Sequence, residues 1–390
     1  MIIPAPHARQ AILTARRNKK MARSPHAYVR GNTAQYYEWL HSLRGHTLPH
    51  GPPIWICGDC HLGNLGPLAA SDGHVDVQIR DFDQTIIGNP AHDLVRLGLS
   101  LAAVARGSRL PGIVTAQMLE YLVAGYEQAL EAGEERVSVK RPEVVKVVLR
   151  SAVKRSWKEL ARERIVDTRP DIPLGKSFWP LSTLEKKSIS AMFKAKETIK
   201  LVTTLKSRDD DAKIEVIDAA YWVKGCSSLG RLRYAVLVCV GGTDYCLIDI
   251  KEAVIAAAPR YPNVSMPRDN ARRVLEGARH MSPALGERMI AQRFLNRGVF
   301  IRELLPQDLK LEIDELQADQ ATHMARYLGY AVGYAHSRQM DEAARKSWLS
   351  ELKCNRIKSL ATPAWLWNSV VKLIASHEAG YLEHCRKYAL

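Results

Sequence analysis

The sequence predicts an α+β fold in which a β-rich block, residues 213–310, lies between two helical stretches, 1–212 and 311–390. Three observations carry this. Residues 213–251 are rich in strand formers and hold a Gly-Gly pair at 241–242, the mark of a hairpin turn. On either side, apolar residues recur at helical spacing, as Leu94, Leu97 and Leu101 do. The chain has 390 residues, 46% hydrophobic and 25% charged, which suits one large or two medium globular domains and excludes disorder as the main state.

Taken in order, residues 1–50 read as helical, with a basic run at 16–23 and an aromatic cluster of Tyr36, Tyr37 and Trp39. Residues 54–57 form a short apolar strand, and 75–79 (VDVQI) alternates as a second. Helices follow over 90–105 and 117–132. Residues 140–200 are strongly basic and mostly helical, interrupted by a loop over 169–180. Strands are expected at 213–217, 219–223, 231–240 and 245–251, then a helix at 269–281 and a strand at 298–304. The chain closes with helices over 322–336, 342–359 and 363–387.

Lys and Arg number 56 against 41 Asp and Glu, a net charge of +15. That balance suits an anionic partner: a nucleotide, a phosphorylated metabolite or nucleic acid. No apolar run reaches the ~18–20 residues that span a bilayer, and no membrane partner is expected. The N-terminus lacks the apolar core of a secretory signal, and seven scattered cysteines argue against a disulfide framework. The expectation is a reducing cytoplasm.

The densest signal is Gly58-Asp59-Cys60-His61-Leu62-Gly63-Asn64, followed by Arg80-Asp81-Phe82-Asp83. Phosphoryl transfer needs a carboxylate to orient the attacking hydroxyl. It also needs an amide and a second carboxylate to hold Mg²⁺ against phosphates. Asp59, with Asn64 five residues later and Asp81 ending a strand, has that layout. Asp83 competes with Asp81 for the metal.

Residues 57–95 resemble the catalytic segment of aminoglycoside phosphotransferases and their protein-kinase-like relatives. The resemblance implies Asp59 as the catalytic Asp, Asn64 and Asp81 as metal ligands, and Asp93 as a buried helix residue bracing the catalytic loop. One departure is Cys57, where those proteins usually carry His. Farther on, Gly225, Ser227 and Gly230 lie in a strand–turn–strand setting, like a loop that covers phosphates. Lys251 resembles the lysine that grips the α- and β-phosphates, with Glu276 as its ion-pair partner. Residues 300–304, including Glu303, resemble the hinge that binds adenine.

The motif order is inverted: the catalytic loop precedes the nucleotide-binding block. The fold is therefore expected to be a circularly permuted, kinase-like, two-lobed one. Residues 1–212 and 311–390 would form the large lobe, 213–310 the small lobe and hinge, and 140–212 an insertion or lid. The permutation predicts that the end of helix 322–336 meets residues 50–58. Stretches including Ser24–Gly31, Ser228–Tyr234 and Tyr334–His336 also resemble an uncharacterised bacterial family, domain of unknown function 2252.

Other signals carry less. Cys57 and Cys60 form a Cys-x-x-Cys without a second ligand pair for zinc. His61 fits a structural role, and Arg30 or the basic 140–200 segment could hold an anionic substrate. The expected function is ATP- and Mg²⁺-dependent phosphoryl transfer to an unknown hydroxyl acceptor. The alternatives are AMP transfer on the same fold and non-catalytic binding of a nucleotide or nucleic acid.

Overall fold

The structure, a computed structural model, describes residues 4–43, 48–133, 139–164, 171–205, 207–311, 317–354 and 363–389. The last part of the helix expected at 342–359, and residues 169–170 of the expected loop, lie outside the described residues.

The chain opens with α1 (Arg9–Met21), α2 (Pro25–Gly31) and α3 (Thr33–Ser42). The breaks are local: the Ser24 hydroxyl caps α2 by accepting from Ala27 N, and the Asn32 side chain caps α3 by accepting from Gln35 N. Strands β1 (Ile54–Ile56), β2 (Leu65–Ala69), β3 (Val75–Ile79) and β4 (Ile86–Gly88) make two small antiparallel pairs, β1 with β4 and β2 with β3. In each pair one strand, β1 or β3, is the one expected from sequence. β2 contains Pro67, which a two-stranded ribbon tolerates because one edge needs no donor.

Helices α4 (Ala91–Gly107) and α5 (Gly112–Ala132) follow, then α6 (Glu143–Lys154) and α7 (Trp157–Arg164). Next come the two-residue β5 (Phe178–Trp179), α8 (Thr183–Met192) and α9 (Lys196–Val202). The β-rich block holds β6 (Ile214–Trp222), β7 (Arg233–Val240) and β8 (Asp244–Glu252), then α10 (Asn270–Met281) and α11 (Pro283–Gly286). Strands β9 (Met289–Phe294) and β10 (Arg297–Leu304) end it. Helices α12 (Ala318–Ser337), α13 (Glu342–Lys353) and α14 (Ala364–Tyr388) complete the chain.

The block forms one antiparallel six-stranded sheet in the order β5-β6-β7-β8-β10-β9. The two strands expected at 213–217 and 219–223 are one strand, β6, whose register slips between Val216 and Asp218. The packing does not divide at residue 212. Leu13 of α1, with Trp179, Ile189 and Leu201 from the 178–202 segment, buries against Val236, Ile248 and Ile301 of the sheet. Part of the segment expected as insertion or lid is thus covering layer and edge strand of the sheet.

The second core forms around α4, α5 and α12 and reaches β1 and β3. The end of α12 meets residues 50–58, the contact expected above. Gln339 brackets Trp55, accepting from its backbone N at 2.9 Å and donating to its carbonyl at 3.0 Å. No helix among the described residues is long and apolar enough to cross a membrane.

Candidate active site

The turn after β1 places Asp59. Its geometry is set by Asp93 at the start of α4, fully buried, whose carboxylate accepts from Cys57 N at 2.7 Å and Gly58 N at 2.9 Å. Gly58 has φ of +73°, and a Cβ there would strike the Gln84 carbonyl, so only glycine fits. Asp93 is held in turn by a buried relay. Trp348 Nε1 donates to the Tyr126 hydroxyl at 3.1 Å, the hydroxyl lies 2.9 Å from His336 Nδ1, and His336 Nε2 lies 3.2 Å from Asp93. A carboxylate only accepts, so the His336 proton sits on Nε2 and the tyrosine donates to Nδ1.

Asp59 is itself gripped. The fully buried Arg96 donates to Oδ1 at 2.8 Å, and the Thr33 hydroxyl to Oδ2 at 2.9 Å. Asn64 donates its side-chain amide to the Asp59 carbonyl at 2.9 Å, and its amide oxygen accepts no hydrogen bond among the described residues. The Asn64 carbonyl accepts from Arg80 N at 2.8 Å. That bond joins the ends of β2 and β3 and sets Asn64 beside Asp81.

Lys251 arrives from β8, 170 residues away in sequence. Its ammonium, 4% exposed, is 3.4 Å from Asp81 and 2.6 Å from Asp83. Arg231 is 3.7 Å from Asp83. Burial works to raise both carboxyls. At Asp81 it is outweighed by the Lys251 ammonium, then by Arg302 and hydrogen bonds from Asp83, which hold the group well below its usual value. At Asp83 burial and the Asp81 charge prevail over Lys251 and Arg231 and push it up. The pair therefore titrates as a unit, with Asp81 ionised first. Asp81 is the open member, its side chain 41% exposed against 11% for Asp83. Asp83 Oδ1 is buried without a hydrogen-bond partner among the described residues.

Hard oxygens on Asp81, Asn64 and Asp83 are a donor set that suits Mg²⁺, which keeps several waters and needs only one or two carboxylates. Among the described residues, no group of three or more His, Cys, Asp and Glu is placed to hold a metal.

The turn at 225–230 packs against α1, where Gly230 lies beside Gln10 and Thr14. Gly225 has φ of +109°, and a Cβ on it would meet the Ser228 hydroxyl. Its carbonyl accepts from Lys20 of α1 at 2.9 Å. Ser227 is half-buried, and Gly230, with φ of +97°, leads directly into Arg231.

Two expected members take other partners. Glu276 does not pair with Lys251; it binds Arg279 at 3.0 Å, while Lys251 is neutralised by Asp81 and Asp83. The α10 residue that reaches the site is the buried Arg273, which donates to the carbonyls of Asp83 and Thr85. Glu303 pairs with Ile248 across β10 and β8, whereas Lys251 pairs with Phe300. Strand alternation therefore puts the Glu303 side chain on the opposite face from Lys251. There it binds Arg208 at 2.7 and 2.9 Å, and its carbonyl accepts from Arg288 at 3.1 Å.

Sequence reasoning missed Arg96, Thr33, Arg273 and the Arg233–Asp249 pair, bonded at 2.8 and 2.6 Å on the Lys251 face. Asp249 is held down at about 2, because Arg233 and Arg302 outweigh its burial. The two-residue spacing of Asp249 and Lys251 was the available signal, since both must share one strand face. Burial pushes His61 down to about 4, so it is neutral; the Arg30 guanidinium lies beside it and Gly63. Cys57 and Cys60 are buried thiols: their mutual hydrogen bond and burial raise Cys57 well above its usual value, and burial raises Cys60 against the hydrogen bond from Cys57. Neither is a thiolate poised for redox chemistry.

These features define an α+β protein with an acid–lysine cluster between a six-stranded sheet and a helical body. The chain belongs to the family of uncharacterised proteins conserved in bacteria called domain of unknown function 2252, whose pattern matches residues 9–387. No curated protein and no solved structure matches the chain.

Proposed function

We propose that this protein is a Mg²⁺- and ATP-dependent phosphotransferase acting on a hydroxyl acceptor. The supporting observation is the meeting of Lys251 with Asp81 and Asp83 next to Asn64 and Asp59. A lysine and two carboxylates from segments 170 residues apart form the charge pattern that nucleotide phosphates and Mg²⁺ require. Phosphate would take over the Lys251 ammonium, and Mg²⁺ the Asp81 carboxylate and Asn64 amide oxygen. Bound, the metal supplies charge neutralisation on the phosphates. The turn at 225–230 and Arg231 would close over them. Asp59, already accepting from Arg96 and Thr33, is suited to orienting an acceptor hydroxyl through its remaining lone pairs. The sheet face beside Lys251 carries the Arg233–Asp249 pair, so a base lying there meets a polar floor.

One observation favours a second reading, nucleotide binding without turnover: both Asp59 oxygens already have a donor. AMP transfer would use the same residues with the nucleotide reversed.

Calorimetry with ATP, GTP and tripolyphosphate, with and without Mg²⁺, tests the proposal. Mg²⁺-dependent binding that is lost in a folded Lys251→Ala variant is expected. Absence of binding to all three sinks both readings. Binding without release of label from γ- or α-labelled ATP to any hydroxyl acceptor favours the second.

A further inference from the structure

A cavity of about 950 Å³ lies behind β3, between α6, α11 and α12. It shares no residue with the Asp81 cluster. Its volume is that of small-molecule sites, which run ~300–1,000 Å³. The wall carries five cations, Lys140, Arg141, Lys146, Arg150 and Arg338, against two carboxylates, Asp76 and Glu287. Glu143 at the rim pairs with Lys146 at 3.0 Å and Arg150 at 3.6 Å, and a positive excess remains.

The cavity is built rather than incidental. Arg338 donates to the carbonyls of His280 at 3.0 Å and Met281 at 3.1 Å, and its guanidinium lies 5.3 Å over the Tyr334 ring. Tyr330 and Tyr334 stack at 6.3 Å along α12, and Tyr327 continues that lining. On α6, Val145, Leu149 and Ala152 are buried, which fixes the helix rotation that turns Lys146 and Arg150 to the opening. Val77, Leu149 and Met281 add apolar surface.

We propose that this cavity binds a phosphorylated small molecule. Its phosphates would meet the Lys140, Lys146 and Arg150 rim, and its organic body the tyrosines. This second anion site goes beyond the nucleotide reading and stands independently of it.

The test is calorimetry of the full chain with inorganic pyrophosphate as the minimal probe, with EDTA present to disable metal-dependent binding at Asp81. The variants are Lys140→Ala/Lys146→Ala/Arg150→Ala, all at solvent-facing positions, and Lys251→Ala. Saturable binding that weakens by about tenfold or more in the triple variant and persists in Lys251→Ala is expected. A thermal melt confirms that the triple variant folds, and the single Lys146→Glu reversal provides a second reading of the same loss. No saturable heat at millimolar pyrophosphate overturns the proposal. So does unchanged affinity in the triple variant, or loss of binding in Lys251→Ala, which would put the probe in the other site.

Discussion

Asp81 and Asp83 stand two residues apart and differ in what surrounds them. Lys251 sits closest to Asp83 and neutralises it, whereas Asp81 keeps an open carboxylate. A carboxylate that is partly solvated can gain a cation without first losing its only partner. Asp81→Asn is therefore expected to abolish Mg²⁺-dependent nucleotide binding and to lower the melting temperature without unfolding the protein, because the buried Lys251 ammonium loses one of its two carboxylates and keeps Asp83. Calorimetry and a thermal melt on the same variant read both. Retained Mg²⁺-dependent binding would remove Asp81 from the metal role. Cys57 is a buried thiol that holds the loop twice: its backbone N donates to Asp93 at 2.7 Å and its Sγ to the Asp81 carbonyl at 3.6 Å.

At the scale of elements, α12 matters for what its end touches. The relay from Trp348 through Tyr126 and His336 to Asp93 links four helices to the turn that carries Asp59. Every group in it is buried, so removing one donor leaves its neighbours unsatisfied. Tyr126→Phe orphans both His336 Nδ1 and Trp348 Nε1, at about 1–3 kcal/mol for each group. Urea denaturation should show a clear fall in midpoint. An unchanged midpoint would mean that the relay adds nothing to the fold. The sheet shows the same dependence on context. Residues 178–179 are flanked by Pro170, Pro173 and Pro180 and read as loop, yet they pair with Tyr221 and Trp222 as an edge strand. Proline punctuates the segment but does not prevent two extended aromatic residues from joining an open edge.

Across the whole molecule, burial of histidines makes stability depend on pH. Burial depresses His61 and His377 to about 4, below the value near 6.5 that each has when unfolded. Above pH 6.5 both states are neutral and the fold has its full stability. As pH falls from about 6.5 towards 4 the unfolded chain takes up protons that the folded chain refuses, so stability is lost, by up to roughly 3 kcal/mol for each fully buried histidine. Asp249 adds a second loss at lower pH, between its unfolded value and about 2. Urea midpoints measured from about pH 7 to about pH 5 should decline, and His377→Gln should flatten the decline. A flat profile for the unmodified protein would refute the assignment.

Short-range pattern was enough for the α+β order, the hairpin at 241–242, the helical body on both sides and the three segments that supply the acids, the amide and the lysine. These are local quantities: periodicity, turn chemistry and the spacing of Asp59 to Asn64. The structure decided what depends on which face a residue presents and what lies across from it. Glu276 went to Arg279 because its own helix offered a nearer cation, and strand alternation set the Glu303 side chain on the face of β10 opposite Lys251. Arg96, Thr33 and Arg273 carry no motif, since a buried arginine is recognisable only once the carboxylate or carbonyl it serves has been folded against it. The covering of the sheet by α1 and residues 178–202 was likewise settled by the apolar area left open on one sheet face, a quantity no single segment contains.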